Sequence, residues 1–325
     1  MKSDLVTRKR ILDLLRTDRQ GAEVYFERAR RLRRERWGDR VFLRAVVEFA
    51  NDCGNDCLYC GMRRSNRNIT RFQLADDEIF DLARAARDLE IPTFFLQSAE
   101  DAAFSTERLS AIVRRVRDEL GMGVILCVGA RDRAAFETLY AAGARKFIIK
   151  HETADANLFA KMKPGQRLSE RVAYLQAARA AGFQIGSGTI VGLPGQTLES
   201  LADDVIFLRD LKCEMASASV FMPHADTPFA SAAPGDGYLG VLVVAAMRLA
   251  LPDALIPATS TFEKVLPGEG QYRAFMAGAN VITINMTPED RKSDYQLYSD
   301  RYFVRLEHAR EVVARAGLTI AAEAM

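Results

Sequence analysis

Three cysteines fall within eight residues, Cys53, Cys57 and Cys60, in the run Asn51-Asp-Cys-Gly-Asn-Asp-Cys-Leu-Tyr-Cys-Gly61. Their Cys-x3-Cys-x2-Cys spacing suits three thiolates on one face of a cubic iron–sulfur cluster. A [4Fe–4S] cluster held wholly by thiolate takes four cysteines, so three leave one iron open to a small molecule. Other uses of the triad fit less well. A disulfide would consume two thiols and strand the third. A structural zinc site takes four ligands, often as paired Cys-x-x-Cys units. Only one such unit is present, and the three histidines, His151, His224 and His308, are remote from it in sequence. Cys127 and Cys213 stand alone on apolar stretches and read as ordinary buried residues.

A scaffold must bring other residues to this triad. Eight short β-rich runs recur: Val41–Phe49, Thr93–Gln97, Gly123–Val128, Lys146–Lys150, Gln184–Val191, Met215–Met222, Ala254–Thr259 and Asn280–Ile284. Helical patterns alternate with most of them, at Asp76–Glu90, Ser105–Leu120, Arg131–Ala142, Ser169–Ala181 and Leu198–Leu211, several ending at Gly. Alternation of this kind argues for parallel βαβ units, and eight of them for an α/β fold, the (β/α)8 TIM-type barrel. A doubly wound open sheet is the alternative. Residues 1–40 are expected to form an N-terminal helical cap, and 41–325 the barrel with a C-terminal helix. In such barrels chemistry gathers at the carboxyl ends of the strands. There lie Cys53, Gln97–Glu100, Gly129–Ala130, His151–Glu152, Gly192–Gly195, Pro223–His224 and Thr259–Thr261.

Composition narrows the function class. The 325-residue chain is 49% hydrophobic with a net charge of +2, which excludes a strongly basic nucleic-acid binder. The six arginines of Arg28–Arg36 are interspersed with Glu35 on a helical pattern and read as a solvated face. No stretch approaches the ~18 apolar residues of a membrane span, and Met1–Arg10 has no apolar run of a secretory signal. An odd cysteine count with metal-type spacing fits the cytoplasm.

The triad, with the aromatic Tyr59 before its last cysteine, resembles the radical S-adenosylmethionine (SAM) superfamily. Asn55–Asn66 is similar to the biotin synthase/HydE/PylB subgroup, and most to HydE. So, in order, are Leu96-Gln-Ser-Ala-Glu-Asp101, His151-Glu-Thr-Ala154, Val191-Gly-Leu-Pro-Gly-Gln-Thr197, Pro223-His-Ala-Asp-Thr-Pro228, Ile256-Pro-Ala-Thr259 and Tyr295-Gln-Leu-Tyr298. The resemblance implies a [4Fe–4S] cluster on Cys53, Cys57 and Cys60 whose open iron chelates SAM. It implies that Tyr59 lies against adenine, that Gln97, Ser98 and Glu100 hold the SAM amine, and that Glu152 takes the ribose hydroxyls. It implies Arg171 on the SAM carboxylate, the Gly188–Gly192 segment along adenine, and Met215 beside SAM. Tyr295, Tyr298 and Thr259 are implied on the substrate side.

The chain departs from HydE-like proteins there. Where they read Ser-Leu-Gly-Glu it has Cys127-Val-Gly-Ala130, and after Thr259 it reads Ser-Thr-Phe-Glu-Lys. The expected function is HydE-like: reductive cleavage of SAM to start radical chemistry on a small molecule in the barrel cavity, fed by an electron donor such as flavodoxin or ferredoxin. Alternatives are a PylB-like amino-acid carbon-skeleton mutase, biotin-synthase-like sulfur chemistry, and a non-catalytic metal-binding scaffold. No nucleic-acid or membrane partner is expected.

Overall fold

The computed structural model describes residues 6–100 and 104–324; Asp101 of the Leu96–Asp101 motif and Met1–Leu5 lie outside the described residues. The strands are β1 (Arg40–Ala50), β2 (Thr93–Ser98), β3 (Gly123–Cys127), β4 (Lys146–Ile148), β5 (Gln184–Val191), β6 (Met215–Val220), β7 (Val281–Asn285) and β8 (Thr319–Ile320). The first seven lie in the order β6-β5-β4-β3-β2-β1-β7, every pair parallel, with β8 on β1. Parallel strands covered on both faces read as continuous apolar runs, and β1 is buried at every residue after Arg40.

One expected strand shrinks. Within Ala254–Thr259 only two isolated bridges form, Met215 to Leu255 and Pro257 to Val281. Pro257 has no N–H for a ladder, and the Thr259 hydroxyl turns onto Ala218 O at 3.0 Å just before helix Ser260–Val265 begins. Those two bridges also join β6 to β7. The parallel sheet therefore curls into a barrel whose last seam is a thin one.

Helices Asp76–Asp88, Thr106–Leu120, Arg133–Ala142, Leu168–Ala180 and Leu198–Asp210 fall where the pattern places them. Gly121 and Gly143, at φ +67° and +116°, end two of them in the left-handed region. Phe136 meets Phe147 edge-on at 4.9 Å and so ties helix Arg133–Ala142 to β4, a contact of about 0.5–1.5 kcal/mol beyond its buried area. Helix Gly237–Ala250 escaped the pattern because it is buried nearly all round and shows no polar face.

Helices Arg8–Leu15 and Arg19–Trp37 pack against Leu198–Asp210 and Gly237–Ala250. The arginine run on the second is not wholly solvated. Arg33 is 2% exposed and donates to Phe275 O at 2.9 Å, and Arg30 donates to Met276 O at 3.1 Å. Both satisfy carbonyls at the end of helix Gly270–Met276. No described helix is long and apolar enough to cross a membrane.

Candidate active site

The carboxyl ends of the strands surround a cavity of about 330 Å³. Of the site residues expected from sequence, all but Gly192 line it. Cys53 and Cys60 are half-buried and Cys57 is buried, each a free thiol. Their loop is tied down locally. Asp56 accepts from Arg63 Nε at 2.9 Å and from Ser65 Oγ at 2.6 Å, and Arg63 holds its carboxyl well below the usual range. Arg71 donates to the carbonyls of Asn51, Met62 and Arg63. A side chain on Gly61 would meet Gln296 O and His224 at about 2.5 Å, so glycine is required there. His224 is bonded to Gln296 Oε1 at 2.9 Å and accepts at Nδ1 from Asp226 N at 3.0 Å, so both ring nitrogens are engaged within the protein.

Burial raises the Cys53 thiol and pushes Cys60 up to about 12. Among the described residues no three His, Cys, Asp or Glu side chains converge on a point fit for one metal ion. Three free thiols lining one cavity are a donor set that fits a cluster carried on three cysteines.

Beside the triad, Arg171 forms a buried ion pair with Glu100 and also donates to Gln166 Oε1 at 2.7 Å. Although burial alone would raise the Glu100 carboxyl, Arg171 holds it below its ordinary value. Gly129, at φ +75°, makes room for this carboxylate: a Cβ there would lie 2.5 Å from Glu100 Cγ. Glu152 is held at φ +64°, a costly conformation for a side chain of this kind. Its N–H donates to Gly188 O at 2.9 Å, and its O accepts from Ile190 N at 2.9 Å. Its Oε2 is buried without a partner. A strained backbone presenting an orphan carboxylate oxygen to a cavity is the kind of group a ligand satisfies.

Gln97 Nε2 reaches Tyr295 Oη at 3.5 Å, and the Ser98 hydroxyl bonds Ala99 O at 2.7 Å. Tyr59 and Met215 form walls. Gly192 is set apart. Its φ of +90° and the Gly235 Cα, 2.5 Å from where its Cβ would be, make it a backbone-packing glycine, while Ile190 faces the cavity instead.

Toward the other end, Tyr295 and Tyr298 are 1% and 9% exposed, and burial raises both phenols, so each stays an O–H donor. Thr259 and Thr261 are less free than their hydroxyls suggest. Thr259 Oγ1 bonds Ala218 O and Thr261 Oγ1, and Thr261 Oγ1 accepts from Val220 N. They anchor the seam, and Ser260 lies on the cavity wall beside Tyr298.

Sequence reasoning missed five charged lining residues: Arg44, Glu48, Lys150, Lys163 and Arg301. It also placed Cys127 in the apolar core, whereas Cys127 lines the cavity. Arg44 and Glu48 did carry a signal. Charges four apart in an apolar strand share one face, and in a barrel one face is the interior.

Two comparisons settle what kind of protein uses this arrangement. Residues 47–208 match the model of the Radical SAM superfamily, and a relative 38% identical over 88% of the chain extends the likeness; the chain belongs to that superfamily. It is an enzyme that works with a [4Fe–4S] cluster and SAM, acts on a small molecule and needs a reductant. The relative is the [FeFe] hydrogenase maturase subunit HydE of Thermotoga maritima, 38% identical over 88% of this chain and 82% of that protein. The 3-methylornithine synthase of Methanosarcina acetivorans is 28% identical over 90% of this chain and 82% of its own length. The crystal structure of methylornithine synthase (PylB) superimposes with a TM-score of 0.86 at 26% identity, covering 97% of this chain and 94% of the other.

Proposed function

We propose that the chain is a HydE-like radical SAM enzyme whose substrate is a small anion. The observation that carries this reading is a pair of cations in the cavity wall, Arg44 and Lys150, with no carboxylate partner among the described residues. Arg44 Nε donates to Thr283 Oγ1 at 2.7 Å and its guanidinium lies 4.6 Å from the Phe95 ring centroid. Burial lowers it to about 10, which leaves it cationic at neutral pH. Lys150 Nζ donates to Ser219 Oγ at 3.2 Å. Five cations line the cavity, adding Lys163, Arg171 and Arg301, against three carboxylates, Glu48, Glu100 and Glu152, which leaves a surplus of two positive charges. Cys127, pushed up to about 11 by burial, remains a neutral thiol.

In this reading Cys53, Cys57 and Cys60 hold the cluster. Glu100 takes the SAM ammonium and Arg171 the SAM carboxylate. The two already pair with each other, so binding exchanges one matched pair for two and buries no lone charge. Glu152 Oε2 accepts from the ribose hydroxyls, with Tyr59, Gln97, Ser98 and Met215 as walls. When bound, the cluster and SAM supply a radical by one-electron cleavage of a carbon–sulfur bond. Val46, Phe95 and Ile148 keep water from it. Tyr295, Tyr298 and Ser260 orient the substrate. The HydE name ties that relative to hydrogenase maturation, and the same role is proposed here for an anionic precursor that fits this cavity. A flavodoxin- or ferredoxin-type donor in the cytoplasm suits a low-potential cluster site with five free cysteines.

The mutase reading is weaker. 3-Methylornithine carries two amines, and the one carboxylate toward the substrate end, Glu48, is taken by Arg301. Biotin-synthase-like chemistry lacks a second cysteine triad, since only Cys127 and Cys213 remain.

Two measurements test the reading. Arg171→Met removes a charge-assisted bond of about 1.5–3 kcal/mol, so SAM should bind about 10- to 100-fold more weakly by equilibrium dialysis; unchanged affinity would refute the assignment of its carboxylate. A bromide soak of crystals should give an anomalous peak between Arg44 and Lys150 that vanishes in Arg44→Met. A cavity without bromide would count against an anionic substrate.

A further inference from the structure

Helix Ala156–Met162 ends against the cysteine loop, where Leu58 N–H donates to Met162 O at 2.9 Å. The next residue, Lys163, is therefore turned inward. It is 4% exposed and lines the cavity at its cluster end. Its Nζ lies 3.4 Å from Tyr59 Oη and 5.9 Å from the Tyr59 ring centroid. No carboxylate comes within ion-pair reach of it among the described residues. Neighbouring cations differ: Arg171 is matched by Glu100, and Arg63 by Asp56 at 2.9 Å. The Lys163 charge reaches the Glu100 carboxylate, which is already paired with Arg171, so the buried ammonium keeps charge to offer a further negative group.

A cluster on three thiolates is a net anion and gains one further negative charge on reduction. Net charge and the surrounding dipoles are what set the potential of such a cluster. A cation fixed beside it stabilises the reduced state more than the oxidised one. We propose that the Lys163 ammonium, held over Tyr59, raises the reduction potential of the cluster on Cys53, Cys57 and Cys60. It makes the single electron from a low-potential donor easier to place, with no proton taken up. The inference rests on the cluster assignment made above.

The test is an EPR-monitored potentiometric titration of anaerobically reconstituted wild type, Lys163→Met, Lys163→Gln and Lys163→Arg, without SAM. Iron and sulfide assays on each sample come first. Both neutral variants should show a reduced-to-oxidised ratio about tenfold lower at a fixed poise, a midpoint more negative by about 59 mV for one electron. Lys163→Arg should stay near wild type. A neutral variant with full iron and sulfide and an unchanged midpoint overturns the inference. So does a shift that appears only after SAM is added, which would make Lys163 a SAM contact. If wild type itself takes up no iron and sulfide, the cluster assignment fails first and takes the inference with it.

Discussion

Cys57→Ala is expected to abolish cluster assembly. Iron and sulfide should fall from about four each per chain to background, and dithionite with SAM should yield no 5′-deoxyadenosine. Three protein thiolates are the whole ligand set, so removing one leaves two irons open and no cage. Cys57 is 7% exposed at the centre of the loop. The fold should survive its loss, because Asp56, Arg63 and Arg71 hold that loop through bonds in which the sulfur takes no part. Losing one small buried group costs about 1 kcal/mol, so circular dichroism and the melting curve of the metal-free protein should hardly change. Cys213→Ala is the matched control. That thiol is 4% exposed in the outer apolar core and should keep a full cluster. Cys57→Ala protein that still carries four irons and four sulfides would sink the assignment of the triad.

The triad and the strand ends were legible because their signals are local. Three cysteines in eight residues need no tertiary knowledge, and neither do apolar runs that alternate with helical ones. The charges around the cavity were harder to place for a physical reason. A parallel strand is apolar on both faces, so period-two alternation fades and Cys127 at the end of β3 looks like core. Arg44 and Glu48 break the apolar run of β1, but sequence does not say that their shared face is the barrel interior. Lys163 reads as an ordinary basic residue at a helix end until Leu58 docks on Met162. Arg301 lies 253 residues from Glu48, and no local pattern links them. The seam strand failed for a different reason: Ala254–Thr259 has the composition of a strand, but Pro257 and the Thr259 turn leave it two bridges.

Breaking the Glu48–Arg301 pair is expected to have the largest effect on stability. Glu48 is 1% exposed, and the Arg301 side chain 9%. Arg301 Nη2 donates to Glu48 Oε1 at 2.5 Å and Nη1 to Oε2 at 3.1 Å, a forked pair. Burial alone would lower Arg301, but Glu48 outweighs it and keeps the guanidinium charged. Asn285 Nδ2 adds a bond to Glu48 Oε2 at 3.1 Å, so β1, β7 and the loop after β7 meet at one carboxylate. Removing one partner of a buried pair leaves an uncompensated charge and costs about 3–5 kcal/mol. Arg301→Met and Glu48→Gln should each lower the unfolding free energy of the metal-free protein, measured by urea titration, by that amount. The double variant Glu48→Gln, Arg301→Met should lose less than the sum of the two, since it buries no lone charge. Arg301 also donates to Tyr295 O, and its guanidinium lies 5.4 Å from the Tyr295 ring and 6.0 Å from that of Tyr298. The same substitution should therefore loosen the segment that carries both tyrosines, read as faster amide exchange around 295–298. Strictly additive losses in the double variant would mean that the two residues stabilise the barrel independently, and that the tyrosines do not depend on their pairing.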